Sequence, residues 1–476
     1  MNVTGPLRRL ACIAPTATAI IGPDGARISF QALDSRIDAL ARRARDHGMR
    51  PGQLAALTAE GPHDLPYLLL ALALARIGVG LAEHALPGHL LHWRFARRGA
   101  EFAGDILAVP GWFTAEPPPE PMPIDANDAA IFTVFASSGS TGAARHIPVS
   151  HRQMTARVLH RALCDGAQPL RRMVLTAPGG AWGMTTILRT LWYGGTLVMS
   201  TPADMLADIT RHTVAAIAAS PQTLRTLLDQ RPADAGPLPG LAVIETGGSR
   251  LPPALAAEVA ARLCPSISVS LASSEAGAIA SAPLEIIAGT DGAAGHVWPG
   301  VTIEAVGPDH RGLPPGEPGI LRLRGPMVAT RYLGDGQASA DNFIDGWFYS
   351  GDIGALRADG MLILAGRRTE LINFGGDKVA PWLIENALLR LPSVSDAAAF
   401  GVEDEDGIEQ IWAAIVAPAP IDEDAVNRFC TRELGHLAPS TLLQFRELPR
   451  NEAGKLRRDL LIAYARELNQ DMREPD

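Results

Sequence analysis

The sequence predicts an α/β protein: a large N-terminal domain of parallel sheets with crossover helices and a small β-barrel-like unit, followed by a smaller α+β C-terminal domain. Three observations predict it. Strand-like and helix-like segments alternate through roughly the first three hundred residues. From Gly295 the texture changes to short strands punctuated by glycine and proline. After "GRRTELINFGG" a second, smaller pattern of helices and strands begins.

Taken in order, "QLAALTAE" reads as a strand and "DLPYLLLALALARIG" as a helix. "RRMVLTAP" and "TLVMST" read as strands around the helix "TTILRTLWYGG", and "PQTLRTLLDQ" as a further helix. "LAVIETGG" and "SISVSLA" are short buried strands with the helix "PPALAAEVAARL" between them. Strands separated by helical segments favour parallel pairing. The stretch "VTIEAVGPDHRGLPPGEPGILRLRGP" is turn-rich without helical periodicity, which predicts an antiparallel or barrel-like unit. The last segments are "KVAPWLIENALLRLP" (helix), "DAAAFGVE" and "QIWAAIVAP" (strands) and "DEDAVNRFCTREL" (helix). The proline-rich "AEPPPEPMPID" is a linker or surface loop.

The 476 residues are 47% hydrophobic, and 42 basic against 51 acidic residues leave a formal charge of −9 without basic runs. That charge pattern predicts no nucleic-acid partner. Cys12, Cys164, Cys264 and Cys430 lie far apart with no metal-binding spacing, which predicts a reducing, cytoplasmic setting. The N-terminal stretch lacks the unbroken apolar core of a signal peptide. The longest apolar stretch, "LPYLLLALALARIGVGLA", contains Arg76 and glycines, so it predicts a buried helix and strand and no membrane span.

The stretch "FASSGSTGAARHIPVSH" follows the apolar run "AAIFTVF" and leads into a helical pattern. Small residues let backbone N–H groups approach an anion, hydroxyls add donors, and a following helix offers its positive end. A plain Gly/Ser turn fits the same residues. A Walker-type loop is excluded, because no Gly-Lys-Ser or Gly-Lys-Thr occurs in the chain. "ETGGSRLP" and "LASSEAG" each place small residues and a carboxylate after a buried strand, where α/β proteins bind ligands. "GWFYSGDIGALRADGMLILAGRRTELINFGGDKVAPWLIE" and "LPRNEAGKLRRDLL" complete the series.

In this order the motifs resemble the adenylate-forming superfamily of acyl-CoA synthetases, nonribosomal-peptide adenylation domains and luciferases. The resemblance covers almost the whole chain. It implies an AMP-binding, adenylating domain over residues 1–366, a hinge at 367–369 and a mobile C-terminal domain over 370–476 that carries a catalytic lysine. Ser137, Ser138, Gly139, Ser140, Thr141 and Gly142 match the loop that wraps the ATP phosphates, with Thr141 among the catalytic positions. The family continues with Pro-Lys-Gly, where this chain has Ala144, Arg145 and His146. Arg145 is either a phosphate contact or a solvated arginine, since a planar guanidinium keeps the charge but changes its shape.

Glu275 matches the glutamate that helps hold Mg²⁺ on the phosphates, a role one carboxylate can fill beside phosphate oxygens and water. Leu271 stands where the family has an aromatic that stacks on adenine. Gly247, Gly248, Ser249 and Ser274 fall among the expected nucleotide-binding positions, and Gly248 also borders the expected acid pocket. Asp352 matches the aspartate that accepts hydrogen bonds from the ribose, and Arg367 the arginine that contacts ribose or phosphate. Lys455 matches the lysine that bridges the incoming carboxylate and the α-phosphate. Thr369 stands two residues after Arg367, where many relatives have a hinge Asp or Lys. Rotation there would withdraw Lys455 and bring up "NFGGDKVAP" for thiol transfer.

Amino-acid-activating relatives pair the substrate ammonium with an aspartate at or next to Ala181, and no acidic residue lies between Ala177 and Thr190. A buried ammonium without a partner is costly, so the sequence implies an acid lacking an α-amino group. Gly180 and Ala181 leave room for an aryl or medium-sized acyl group; Trp182 either bounds it or packs in the core. The implied reaction forms acyl-AMP from ATP with Mg²⁺ and then transfers the acyl group to coenzyme A. The alternative acceptors are the phosphopantetheine of an acyl carrier protein or an amine, and the non-enzymatic alternative is a nucleotide-binding relative.

Overall fold

Two parallel sheets build the N-terminal part of the chain. The structure, a computed structural model, describes residues 1–82, 86–96, 106–108, 113, 120–137, 144–404, 408–417, 419–450 and 456–471. In the first sheet the strands Thr18–Ile21, Thr196–Val198, Arg171–Val174, Ala216–Ala219, Val243–Gly247 and Ile267–Ser273 lie side by side, all parallel. In the second, Ile106–Ala108, Trp93–Ala96, Leu54–Ala56, Gly80–Ala82 and Ile131–Ser137 are parallel, and Arg145–Ser150 closes the edge antiparallel. Helices cross over between strands as the alternating pattern predicts. Their starts are fixed locally: Ser29, Asp64 and Ser220 each accept a backbone N–H from the first turn of the helix they precede.

The helix Leu65–Arg76 is buried nearly all round, with Tyr67 to Arg76 all inside. Arg76 is fully buried and ion-paired to Asp34 at 2.6 Å and Asp38 at 2.5 Å, and Arg8 joins the same two aspartates. The charge that argued against a membrane span is thus a paired core residue. Among the described residues no helix is long and apolar enough to cross a membrane.

The antiparallel part of the first sheet begins earlier than the sequence predicts. Ile267–Ser273 turns back directly into Gly277–Pro283, and the path continues through Ala293–Val297, Met361–Arg367, Trp347–Leu356, Gly319–Arg324 and Thr302–Val306. The change of direction therefore falls at Ser274–Ala276 and not at Gly295. "GAIASAP" has none of the proline-rich punctuation that marked the later strands, which is why composition alone did not separate it. The strands of the expected barrel-like unit are joined to the parallel sheet by one continuous path of strand pairing.

The smaller C-terminal domain has a sheet of Asp396–Glu403, Glu409–Val416 and Thr441–Phe445, with the helices Pro381–Leu389, Glu423–Leu434 and Arg458–Asp471. Both sheet faces are covered. Ala397, Ala399, Ile411 and Ile415 pack with Ile384 and Leu388 on one side, while Phe400, Val402 and Trp412 pack with Leu461 and Ala465 on the other. Such two-sided burial explains why these strands read as continuous apolar runs instead of alternating ones. Cys12, Cys264 and Cys430 are free thiols.

Candidate active site

The stretch that opens the motif series is a β-hairpin in its described part. Ser137 ends one strand and pairs with Arg145, the first residue of the next. The stretch leads into a helix, His151–Asp165, as expected, but through a second strand, Arg145–Ser150, that the sequence did not reveal. The first turn of the helix is already occupied by a capping box, with Ser150 accepting from the Gln153 backbone and Gln153 accepting in return. Ser138, Gly139, Ser140, Thr141 and Gly142 lie outside the described residues.

Arg145 is not a freely solvated arginine. Its guanidinium lies over the Tyr332 ring, 5.0 Å from the centroid, and Nη1 donates to the Tyr332 hydroxyl oxygen at 3.4 Å. That hydroxyl in turn donates to Glu275 Oε1 at 3.2 Å. Burial, then the Glu275 charge, push the Tyr332 phenol above its ordinary value, so it stays protonated and donating. Tyr332 had no signal in the sequence beyond being one aromatic in "RYLGDG".

Glu275 occupies the turn where the first sheet reverses direction, and it is buried. Its carbonyl accepts from Ala329 N at 2.7 Å and from Arg157 Nη2 at 2.9 Å, while Arg157 also donates to the carbonyls of Ser274 and Met327. Arg157 is itself buried, which lowers its pKa to about 10 against the opposing pull of Glu275. Gly277 has φ +71°, a conformation that favours glycine, and a Cβ there would meet Arg157 Cγ at 3.1 Å. Among the described residues no hydrogen bond engages Oε2 of Glu275, and no cluster of three or more His, Cys, Asp or Glu could hold a metal alone. A single carboxylate with one oxygen to spare fits Mg²⁺ carried on nucleotide phosphates and does not fit a cation held by protein alone.

Asp352 and Arg367 face each other across the strands Trp347–Leu356 and Met361–Arg367, in direct register, with Arg367 Nε 3.0 Å from Asp352 Oδ1. The two residues expected to meet the ribose are brought together by sheet pairing. Gly247 pairs with Ser270 in the adjacent strand, and a Cβ on it would sit 2.6 Å from the Ser270 carbonyl oxygen. Gly248 has φ +84°, which favours glycine, and Ser249 follows it. Leu271 is partly buried against the core cluster that also receives Ala181 and Trp182. Gly180 is the N-cap of the helix Ala181–Trp192, and Trp182 packs on the core while its indole N–H has no partner among the described residues.

Glu245 was grouped with Glu275 as lying after a buried strand, but it lies within Val243–Gly247, buried among Arg161, Arg172 and Arg189 at 3.1, 2.7 and 2.8 Å. Burial raises its pKa, but Arg172, Arg189 and Arg161 outweigh burial and hold it well below the carboxylate range. Glu245 is a core ion-pair centre.

Thr369 is exposed in a short 3₁₀ turn, Arg368–Glu370. On either side of it sit contacts the sequence did not reveal. Trp382 Nε1 donates to the Ala365 carbonyl at 2.7 Å, Asn386 donates to Asp291 at 3.0 Å, and Arg458 bridges Glu370 and Glu385 at 2.7 and 2.5 Å. Lys455 lies outside the described residues; Arg450 and Leu456, the described residues on either side of it, are joined by an antiparallel bridge.

The two-sheet body, the smaller C-terminal domain and the series of motifs define an adenylate-forming enzyme. Residues 95–333 match the family described as AMP-binding enzyme and residues 383–455 its C-terminal domain, and the chain belongs to this AMP-binding enzyme family. It is similar to a feruloyl-CoA synthase from Amycolatopsis sp., at 28% identity over 95% of this chain and 96% of the relative. It is also similar to a sulfoacetate–CoA ligase from Cupriavidus necator, at 30% identity over 76% of this chain and 72% of the relative. Among solved structures, o-succinylbenzoate CoA synthetase from Bacillus subtilis, in complex with its acyl-adenylate intermediate, superimposes with a TM-score of 0.83 at 24% identity, covering 96% of this chain and 97% of that one. The protein is an enzyme of the AMP-forming, acyl-CoA synthetase-like kind.

Proposed function

We propose that the enzyme activates a carboxylic acid without an α-amino group, of aryl or medium acyl size, as its acyl-adenylate from ATP, and transfers the acyl group to coenzyme A. The observation that carries this reading is Glu275: a buried carboxylate at the end of a parallel strand, with one oxygen bonded to Tyr332 and the other unengaged among the described residues. It would hold Mg²⁺, which supplies neutralisation of phosphate charge. The residues of the chain do the rest. The loop Ser137–Gly142 wraps the phosphates, Asp352 accepts from the ribose hydroxyls with Arg367 beside it, and Lys455 offsets charge repulsion between the acid and the α-phosphate.

Support for the acid class comes from the absence of an acidic side chain between Ala177 and Thr190, where an α-ammonium would need one. The feruloyl-CoA relative supports an aryl acid and coenzyme A. The domain limits that fit this reading are 1–366 and 370–476, with rotation about 367–369. Such a rotation would have to break the contacts of Trp382 with Ala365 and Asn386 with Asp291.

The test is acid-dependent exchange of pyrophosphate into ATP over a panel of aryl, fatty and amino acids, with Lys455→Ala as control. Exchange with aryl or medium acyl acids, falling by at least a hundredfold in Lys455→Ala, is the expected result. Absence of exchange with every acid overturns the reading. Active acids are then offered coenzyme A, a phosphopantetheinylated carrier protein or an amine, and formation of the acyl-CoA thioester in preference to the other two is expected.

A further inference from the structure

We propose that Tyr332 is a positioning residue that holds Glu275 in place for Mg²⁺, with Arg145 fixing the phenol from the other side; this rests on the function proposed above. The phenol oxygen is a junction. It accepts from Arg145 Nη1 at 3.4 Å and donates to Glu275 Oε1 at 3.2 Å, so it links the foot of the glycine-rich hairpin to the carboxylate at the end of the neighbouring sheet.

Each element around the junction is fixed. The Tyr332 ring packs edge-on to Phe343 at 5.1 Å, and Phe343 stacks on Phe348 at 5.0 Å. The Tyr332 backbone N–H donates to Ser339 Oγ at 2.9 Å, and Leu333 N donates to the His146 carbonyl at 2.7 Å, next to Arg145 in the hairpin. The same segment reaches Glu275 a second time through Ala329 N, and Gln153 and Arg157 hold its carbonyls at Val328 and Met327. Residues 325–333 therefore strap the Glu275 turn to the hairpin, and Tyr332 is the side chain through which the strap touches the carboxylate.

The chemistry follows from what the phenol can and cannot do. A buried carboxylate that must accept a divalent cation needs one oxygen oriented and one left open, because a second strong donor would compete with the metal. A neutral hydroxyl orients without cancelling the charge. An arginine placed directly on Glu275 would neutralise it, as three arginines do at Glu245. Arg145 keeps its charge one group away and acts on Glu275 through the phenol. This also gives a place to the arginine that stands where the family carries Pro-Lys-Gly.

The experiment uses Mn²⁺ as the probe, titrated against the full-length protein with ATP present and no acid, so that no turnover occurs, and read by the loss of the free Mn²⁺ electron paramagnetic signal beyond that caused by the same ATP without protein. Tyr332→Phe keeps the ring against Phe343 and removes only the hydroxyl. Its Mn²⁺ affinity is expected to fall about tenfold, the usual scale for losing a group that orients a metal ligand, while affinity for AMP without metal and the melting temperature stay at the wild-type values. Unchanged Mn²⁺ affinity in Tyr332→Phe overturns the inference, and so does an equal fall in metal-free AMP affinity, which would make the hydroxyl a general support of the site. A wild-type protein that binds AMP but takes up no Mn²⁺ with ATP overturns the inference while leaving a nucleotide site. One that binds no nucleotide at all overturns the proposed function with it.

Discussion

Glu245 and Glu275 are both buried carboxylates near the ends of neighbouring parallel strands, and they have opposite surroundings. Glu245 meets three guanidiniums within 3.1 Å, so both of its oxygens are saturated and its charge is cancelled locally. Among the described residues the Glu275 carboxylate meets one neutral hydroxyl through one oxygen, while its backbone carbonyl accepts from Arg157 and from Ala329 N. The strands differ in register as well as in neighbours. Glu245 lies two residues before the strand's last position, facing the helices that bear Arg161 and Arg189, whereas Glu275 lies two residues past the end of its strand, in a turn. The comparison separates a charge that holds the fold together from one that is kept open for a ligand: the saturated carboxylate has nothing left to bind with.

The largest expected effect separates the two at once. Glu245→Ala leaves three buried arginines without their shared partner, and a loss of about 3–5 kcal/mol of stability is expected from breaking a buried ion-pair cluster. Urea denaturation measures it; a loss under about 1 kcal/mol would mean that the arginines find other partners. Glu275→Gln keeps an acceptor for the Tyr332 hydroxyl and removes only the charge. Pyrophosphate exchange is expected to drop about a hundredfold with the urea midpoint close to wild type, and a variant that unfolds instead would erase the contrast drawn here.

Acid sharpens the comparison further. The Glu245 pKa is depressed in the folded state, so its contribution to stability is complete above the unfolded value of 4.5 and is lost as pH falls toward the folded value. Wild-type stability should therefore decline between pH 5 and pH 2.5, and Glu245→Gln should decline less over that window; parallel curves would deny Glu245 this role. The smallest effect is expected at the seam between the two strands. In Gly247→Ala the new Cβ would meet the Ser270 carbonyl, so the strand leading to Glu275 must move, costing roughly 1–3 kcal/mol by overpacking together with some activity.

The elements were legible where periodicity and punctuation agree. The crossover helices, the parallel strands and the C-terminal α+β pattern are local consequences of apolar spacing, caps and glycines. The hairpin at Arg145–Ser150 was hidden because a six-residue strand leading directly into a capped helix leaves almost no turn signal between them. The early reversal at Ser274–Ala276 was hidden because small residues suit either a turn or a strand.

The sequence by itself determined the family, the chemistry it implies and the order of the motifs, because each motif is a short run whose residue types are demanded by what they touch. Tertiary structure alone decided which carboxylate is spent and which is available, that Asp352 and Arg367 meet in register, and that Arg145 reaches Glu275 through Tyr332. Those facts depend on which side chains are brought within about 3 Å across 57 or 187 residues of chain. No local pattern records that distance, because it is set by how the sheets and the strap over them pack.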